Sequence, residues 1–394
     1  MKILFLTYDL PYPLNSGGKI RAYNFIKSLS KNHQITLFSF YRWEEQKKYL
    51  PELKAFCHKV FLFKRRPVWC WQNLVKTFTS FLPFASATYY DPTLATALKK
   101  ELQSNNYNLV HFESYYPALY LPLVKKLGVK TVMGNENLEY QIYERFANQK
   151  PCPLSEILKI EVLRMRIYEE GLWRQADLNV AASADDAQRI EQITGRVCPV
   201  IDNGVEVQKL AKTLFHTDGK TLLFVGNLKY QQNDDTIRYF LDKIYTRIRG
   251  RVRFILVSGH QPKWLDIYLA DKNIEFIKDE FTPVEKFFSQ ADLLIVPNRI
   301  GGGTRLKIIQ AMAAGLPVVT TTVGIQGIEA TSGKEVMVAD KPEDFANAVA
   351  DLLKDSKKRQ KLAAAAKKLA AEKYDWNKIG EKLNLVYRDF INDQ

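Results

Sequence analysis

Short runs of Ile, Val, Leu and Phe alternate along the chain with longer segments whose apolar residues recur at three- and four-residue spacing. Ile3 to Thr7, Arg21 to Ser30 and Ile35 to Phe40 predict strand, helix, strand. The rhythm continues with Leu109 to Phe112 and Lys130 to Met133. A long charged helical stretch, Leu154 to Gln175, then precedes the apolar run Leu178 to Ala182. A second series comes after the turn Asp202-Asn203-Gly204 and a polar stretch: Thr221 to Val225, Val252 to Val257, Ile274 to Ile277, Leu293 to Val296 and Pro317 to Thr321. Apolar strands joined by amphipathic crossovers make parallel sheets, so the class is α/β. The expected linker is 206–219, between a first domain at 1–206 and a second at 214–376. Lys357 to Lys373, rich in Ala and Lys, reads as a solvated helix. The closing helix, 377–394, either completes the second domain or crosses back to the first.

With 394 residues, 46% hydrophobic and 25% charged, the chain is long enough for two ordinary cores. Cys57, Cys70, Cys152 and Cys198 are scattered without zinc-like spacing, which suits reduced thiols in the cytoplasm. The N-terminal apolar run is too short for a signal-peptide core, and no run of about 18 apolar residues suggests a bilayer span. The net charge is +14, and residues 1–100 hold 16 Lys+Arg against 5 Asp+Glu, or +11. Such a surface suits phosphorylated substrates or anionic lipid; without zinc-finger, RNP or KH signatures, nucleic acid is not expected.

The most informative segment runs from Val296 to Val319 as strand, glycine loop, helix, glycine stop, strand. Gly301, Gly302 and Gly303 allow close backbone approach, and a helix beginning near Thr304 aims its N–H groups and positive dipole end at whatever lies there. Arg305 and Lys307 sit at the helix end where cations are disfavoured unless an anion is bound, which points to a phosphate ligand. Lys307 and Gln310 share a helix face, whereas Ile308, Ile309 and Met312 are free to pack inward. The plainer alternative is a tight turn with exposed basic residues.

At this segment the chain resembles the retaining glycosyltransferases of family 4, which have the GT-B fold. Pro11-Tyr12-Pro13-Leu14-Asn15-Ser16-Gly17-Gly18-Lys19-Ile20-Arg21 is similar to the family's first glycine loop. Asn203-Gly204-Val205-Glu206, Ala176-Asp177 with Ser183, Gly226-Asn227-Leu228 and Ala291-Asp292 match further family segments in order and spacing. The resemblance covers nearly the whole chain. It implies two Rossmann-like domains facing across a cleft, a UDP- or GDP-sugar donor, and a saccharide or lipid-linked acceptor in polysaccharide or glycolipid synthesis. No metal or other cofactor is implied, and no D-x-D sequence occurs.

The positions of residues at strand and helix ends, together with the resemblance, assign roles. Arg305 and Lys307 would act in catalysis, joined by His111 and Glu113 at the end of a strand. Gly17, Gly18, Gly226, Asn227, Gly301, Gly302, Gly303, Thr304 and Gln310 would bind the donor. Asn135, Glu136 and Asn137 would orient the acceptor, although Asn135 or Asn137 as a helix N-cap explains part of that pattern. The family's paired glutamates are replaced by Gly302 and Gln310, and its usual Arg and Lys by Asn227 and the Tyr230 region. These departures motivate an alternative, a catalytically silent binding subunit. A dinucleotide oxidoreductase would need G-x-G-x-x-G, which the Gly17-Gly18 loop lacks. Lastly, Lys64-Arg65-Arg66-Pro67-Val68-Trp69-Cys70-Trp71, with the aromatics up to Phe84, suits weak contact with an anionic membrane or a helix covering the core.

Overall fold

The computed structural model describes residues 1–80, 82–148, 151–216, 218–280, 282–301 and 303–392. They fall into two compact units, one of Met1–Asp202 with the chain from Gly380 on, the other of Asn203–Ile379.

The first unit holds β1 (Lys2–Thr7), β2 (Gln34–Tyr41), β3 (Lys59–Lys64), β4 (Leu109–Glu113), β5 (Lys130–Asn135) and β6 (Leu178–Ala181). They form a parallel sheet in the order β3-β2-β1-β4-β5-β6. Central strands such as β1 and β4 are buried on both faces, which is why they read as continuous apolar runs. The chain steps outward from β1 to β3, then returns beside β1 as β4. That reversal opens a crevice at the carboxyl ends of β1 and β4, where Thr7 pairs with Glu113.

The second unit repeats the arrangement with β7 (Thr221–Val225), β8 (Arg253–Ser258), β9 (Ile274–Lys278), β10 (Leu293–Val296), β11 (Val318–Thr320) and β12 (Met337–Val338). The parallel order is β12-β11-β10-β7-β8-β9, so its switch point lies between β7 and β10. Both units are therefore doubly wound α/β sheets, the GT-B pair of folds.

Seven helices carry or support the side chains at these sheet edges: α1 (Gly17–Leu29), α2 (Trp71–Thr79), α3 (Glu139–Asn148), α4 (Leu154–Gln175), α5 (Gln231–Tyr239), α6 (Leu306–Ala314) and α7 (Trp376–Asn392). α1 starts at Gly17, earlier than apolar periodicity suggests, because Ser16 is extended and Gly17-Gly18 already helical. α6 starts at Leu306, not Thr304. Gly301 and Gly303 hold left-handed φ values of 110° and 74°, and Arg305 is an extended N-cap, so the loop cannot join the helix sooner. The expected linker is partly structured. Val205 donates its N–H to the Tyr374 carbonyl at 2.8 Å, and Val207–Leu210 forms a short helix whose apolar residues enter the second core. α7 begins within the second unit and from Gly380 belongs to the first. No helix among the described residues is long and apolar enough to cross a membrane.

Candidate functional site

At the switch point of the first sheet, β4 delivers His111 and Glu113 side by side on one face. Ser114 comes next with φ of 88°, a left-handed value that turns the chain sharply at the strand end. Arg21, from α1, donates Nε to Glu113 Oε1 at 2.9 Å and Nη1 to the Ile201 carbonyl at 2.8 Å. Glu113 Oε2 lies 2.5 Å from His111 Nε2, and His111 Nδ1 lies 2.5 Å from the Tyr387 hydroxyl of α7. Burial opposes ionisation of Glu113, but Arg21 and then His111 outweigh it and hold the carboxyl below its usual range. An ionised Glu113 only accepts, so His111 Nε2 donates to it, while Nδ1 pairs with the Tyr387 hydroxyl. The sequence expectation placed this pair in catalysis; the structure shows what holds it. His111 and Glu113 are 0% and 1% exposed, with every polar atom engaged inside the unit, so the arrangement makes them a brace for the sheet edge.

Asn135, expected to orient the acceptor, is held in a similar way. It is buried, accepts from Trp173 Nε1 at 2.8 Å and donates to the Met133 and Val180 carbonyls at 3.2 Å each. Neither Asn135 nor Asn137 caps α3. The Glu169 carboxylate, reaching across from α4, accepts from the Glu139 and Tyr140 N–H groups at 3.0 and 2.9 Å. Asn137 and Glu136 are half-buried at the edge. Burial pushes the Glu136 carboxyl up to about 7 against the pull of Arg21, with Glu113 and Glu139 adding to the rise. Burial likewise lifts Glu139 to about 7, although it accepts from Tyr116 at 2.9 Å. Gly18 is required here. A Cβ would lie 2.6 Å from Glu136 Oε2 and collide with the Tyr8 hydroxyl, so glycine is what lets α1 begin against β5's end. Gly17 is the first residue of that helix and is half-buried; Ser16 makes no side-chain cap. Beside this edge is a cavity of about 510 Å³, lined by Tyr8, Tyr89, Tyr116, Tyr143, Phe84 and Trp69 among others.

In the second unit the loops after β7 and β10 carry the cationic site. Lys307, in the first turn of α6, has its Nζ 4.1 Å from the Phe224 ring centroid and 3.2 Å from Asn233 Oδ1 of α5. Gly226 makes the room, since a Cβ there would stand 2.6 Å from that ammonium. Burial, and then Arg305, lower the Lys307 pKa to about 7. Arg305 is buried and bonds the Gly303 carbonyl. Gly301 lies against Gln232, and Thr304 against Gly327. Gln310, one turn beyond Lys307, is half-buried, while Ile308, Ile309 and Met312 fill the core as expected. Asn227 points its amide at Glu280, 3.1 Å away, and its oxygen accepts from the Lys229 N–H at 3.0 Å. Gly302 lies outside the described residues. Among the described residues, no group of three or more His, Cys, Asp or Glu side chains could share a metal ion.

Sequence reasoning did not single out Arg21, Tyr387 or Asn233 for these sites. Arg21 lies in the first glycine segment, and Asn233 in the Gln-Gln-Asn-Asp-Asp start of α5, which offered a polar signal. Tyr387 offered none, because it is 276 residues from His111.

Two doubly wound units with a cationic glycine loop at the second switch point define a glycosyltransferase of the GT-B fold. Residues 15–209 match the profile of Glycosyltransferase Family 4, and residues 219–355 that of the Glycosyl transferases group 1; the chain belongs to this family. It is 21% identical over 390 residues to an uncharacterized 44.6 kDa protein in the cps region of Klebsiella pneumoniae, covering 96% of this chain and 97% of that one. Among solved structures it superposes on sucrose-phosphate synthase from Thermosynechococcus elongatus with a TM-score of 0.74, at 14% identity over 100% of both chains. Anabaena HepE in complex with UDP-glucose gives 0.70, at 15% identity over 99% of this chain and 100% of that one.

Proposed function

We propose that this glycosyltransferase moves a hexosyl group from a UDP- or GDP-sugar to a hydroxyl of a saccharide or lipid-linked acceptor. The anomeric configuration is retained, and the setting is cell-surface polysaccharide or glycolipid synthesis at the cytoplasmic face of a membrane. The observation that carries this reading is Lys307, an ammonium packed beside a second cation, Arg305, at the start of α6. Two cations this close, in a partly desolvated place, are stabilised by an anion, and a diphosphate has the charge and reach for both. As the bond from the anomeric carbon to the β-phosphate oxygen breaks, negative charge grows on the leaving diphosphate. Preorganised cations and N–H groups stabilise that charge more than the ground state.

Gly226, Gly301 and Gly303 let the phosphates approach the backbone, and Gln310 hydrogen-bonds a ribose hydroxyl. In the first unit Glu136 and Asn137 orient the acceptor hydroxyl, the His111–Glu113–Arg21 brace holds the edge in place, and the uncapped start of α1 offers Gly17 and Gly18 N–H groups to the donor. The UDP-glucose bound by Anabaena HepE supports a uridine donor.

The test is steady-state transfer beside UDP- and GDP-sugar titration of the Arg305→Ala, Lys307→Ala double variant. Turnover should fall by about 10- to 1,000-fold, roughly 1.4 to 4 kcal/mol, with a smaller loss of nucleotide affinity. A folded double variant turning over at the wild-type rate would leave both residues a purely structural role at the start of α6.

A further inference from the structure

Two helices of the first unit turn large apolar side chains to solvent. On α2 Trp71, Leu74, Val75 and Phe78 are 44–86% exposed. On α4 Leu154, Ile157, Ile160, Leu163 and Ile167 are 47–71% exposed. Helical spacing sets most of these opposite Val162, Met165, Leu172 and Trp173, which are buried. α4 is thus apolar on two sides, whereas covering a core in water requires only one. Thirteen of the twenty-one exposed large apolar side chains among the described residues lie between Val68 and Ile167. An accumulation of this kind marks an interaction surface.

The two helices form one face. Arg164 of α4 donates to the Thr77 and Ser80 carbonyls at the end of α2, both at 2.6 Å. Glu161 of α4 accepts from the Phe84 N–H at 2.6 Å, and the Trp69 and Phe84 rings pack 5.3 Å apart. Charge says what covers it. Residues 64–90 contain Lys64, Arg65, Arg66 and Lys76 and no Asp or Glu. On α4 the acids of this region are neutralised, Glu156 by Lys159 at 2.7 Å and Glu170 by Arg166 at 2.8 Å. An apolar face with tryptophans and a cationic margin complements an anionic lipid surface, into which amphipathic helices sink their apolar side while the cations meet the headgroups. Behind this face, against Val162 and Met165 on the inner side of α4, lies the 510 Å³ aromatic cavity, which Trp69 and Phe84 line together with Tyr8 at the end of β1.

We propose that the α2–α4 face seats the enzyme on an anionic phospholipid bilayer, and that the cavity behind it admits the membrane-proximal part of the acceptor. The cavity's role rests on the proposed lipid-linked acceptor; the docking itself does not. The test is sedimentation of the full chain with phosphatidylglycerol-containing vesicles and with pure phosphatidylcholine vesicles. The wild type should pellet with the former, and less so as salt rises. Ile157→Gln, Ile160→Gln, Ile167→Gln, all at exposed sites, should weaken partitioning by about tenfold or more while circular dichroism stays unchanged. Lys64→Ser with Arg66→Ser should weaken it at low salt. A wild type that stays in the supernatant overturns the proposal, as does a triple variant that pellets like the wild type. A wild-type dimer that the triple substitution makes monomeric, without vesicle binding, assigns the face to a second copy instead. UDP-sugar calorimetry on the same samples separates the readings: intact nucleotide binding without vesicle binding retires only the membrane face, and the reverse retires only the donor site.

Discussion

The lowered pKa of Lys307 gives the proposed donor site a pH signature. In the free protein its ammonium, ordinarily near 10.5, titrates at about 7 because of burial and Arg305. A bound diphosphate brings two negative charges to the same place and restores the ordinary preference for the protonated form. Below pH 7 the ammonium is already present and binding needs no proton. Above pH 7 each binding event takes one up, so affinity falls as pH rises. The protonated fraction drops from about one half at pH 7 to about 3% at pH 8.5, so binding should weaken about 16-fold, roughly 1.6 kcal/mol. The assay is calorimetry with UDP-glucose, whose diphosphate is a diester and keeps its charge over this range, in two buffers of different ionisation enthalpy. Proton uptake should approach one per site at the alkaline end. Lys307→Met should bind more weakly at neutral pH and lose the slope. Wild-type affinity that is measurable and flat from pH 7 to 8.5, or a slope that survives in Lys307→Met, would refute the reasoning.

Gly134→Ala should destabilise the protein by about 1–3 kcal/mol in urea unfolding, because the added Cβ would stand 2.7 Å from Glu113 Oε2 and 2.9 Å from His111 Nε2 within a buried network. The Glu139 carboxyl, raised by burial to about 7, binds a proton in the folded state that the unfolded chain releases near 4.5. Its contribution to stability is present below about 4.5, declines as pH rises to about 7, and is absent above. Glu139→Gln, which still accepts from Tyr116, should therefore raise the unfolding temperature at about pH 8 and do so less at about pH 5; an equal shift at both would remove the carboxyl as the cause.

Much of the fold comes from local pattern. The bounds of α4 and of β7 and β10 coincide with those read from apolar runs and turn residues, since a strand buried on both faces must be continuously apolar. The glycine loop before α6 was equally legible, because left-handed φ and close approach both demand glycine. β3 was not: Lys59–Lys64 is a half-buried strand at the sheet edge, and only its pairing with β2 makes it a strand. Strand order belongs to the same class, for no stretch of chain encodes that β4 returns beside β1. Asn135 and His111 occupy strand ends that suggested open polar groups, yet Trp173 from α4 and Tyr387 from α7 close over them. Sequence determined which residue types reach the two sheet edges. Tertiary structure decided which of them face solvent and which are buried, and it supplied the larger cause of the lowered Lys307 pKa, because desolvation depends on Phe224 and Asn233, which the chain brings from afar, whereas Arg305 stands only two residues upstream.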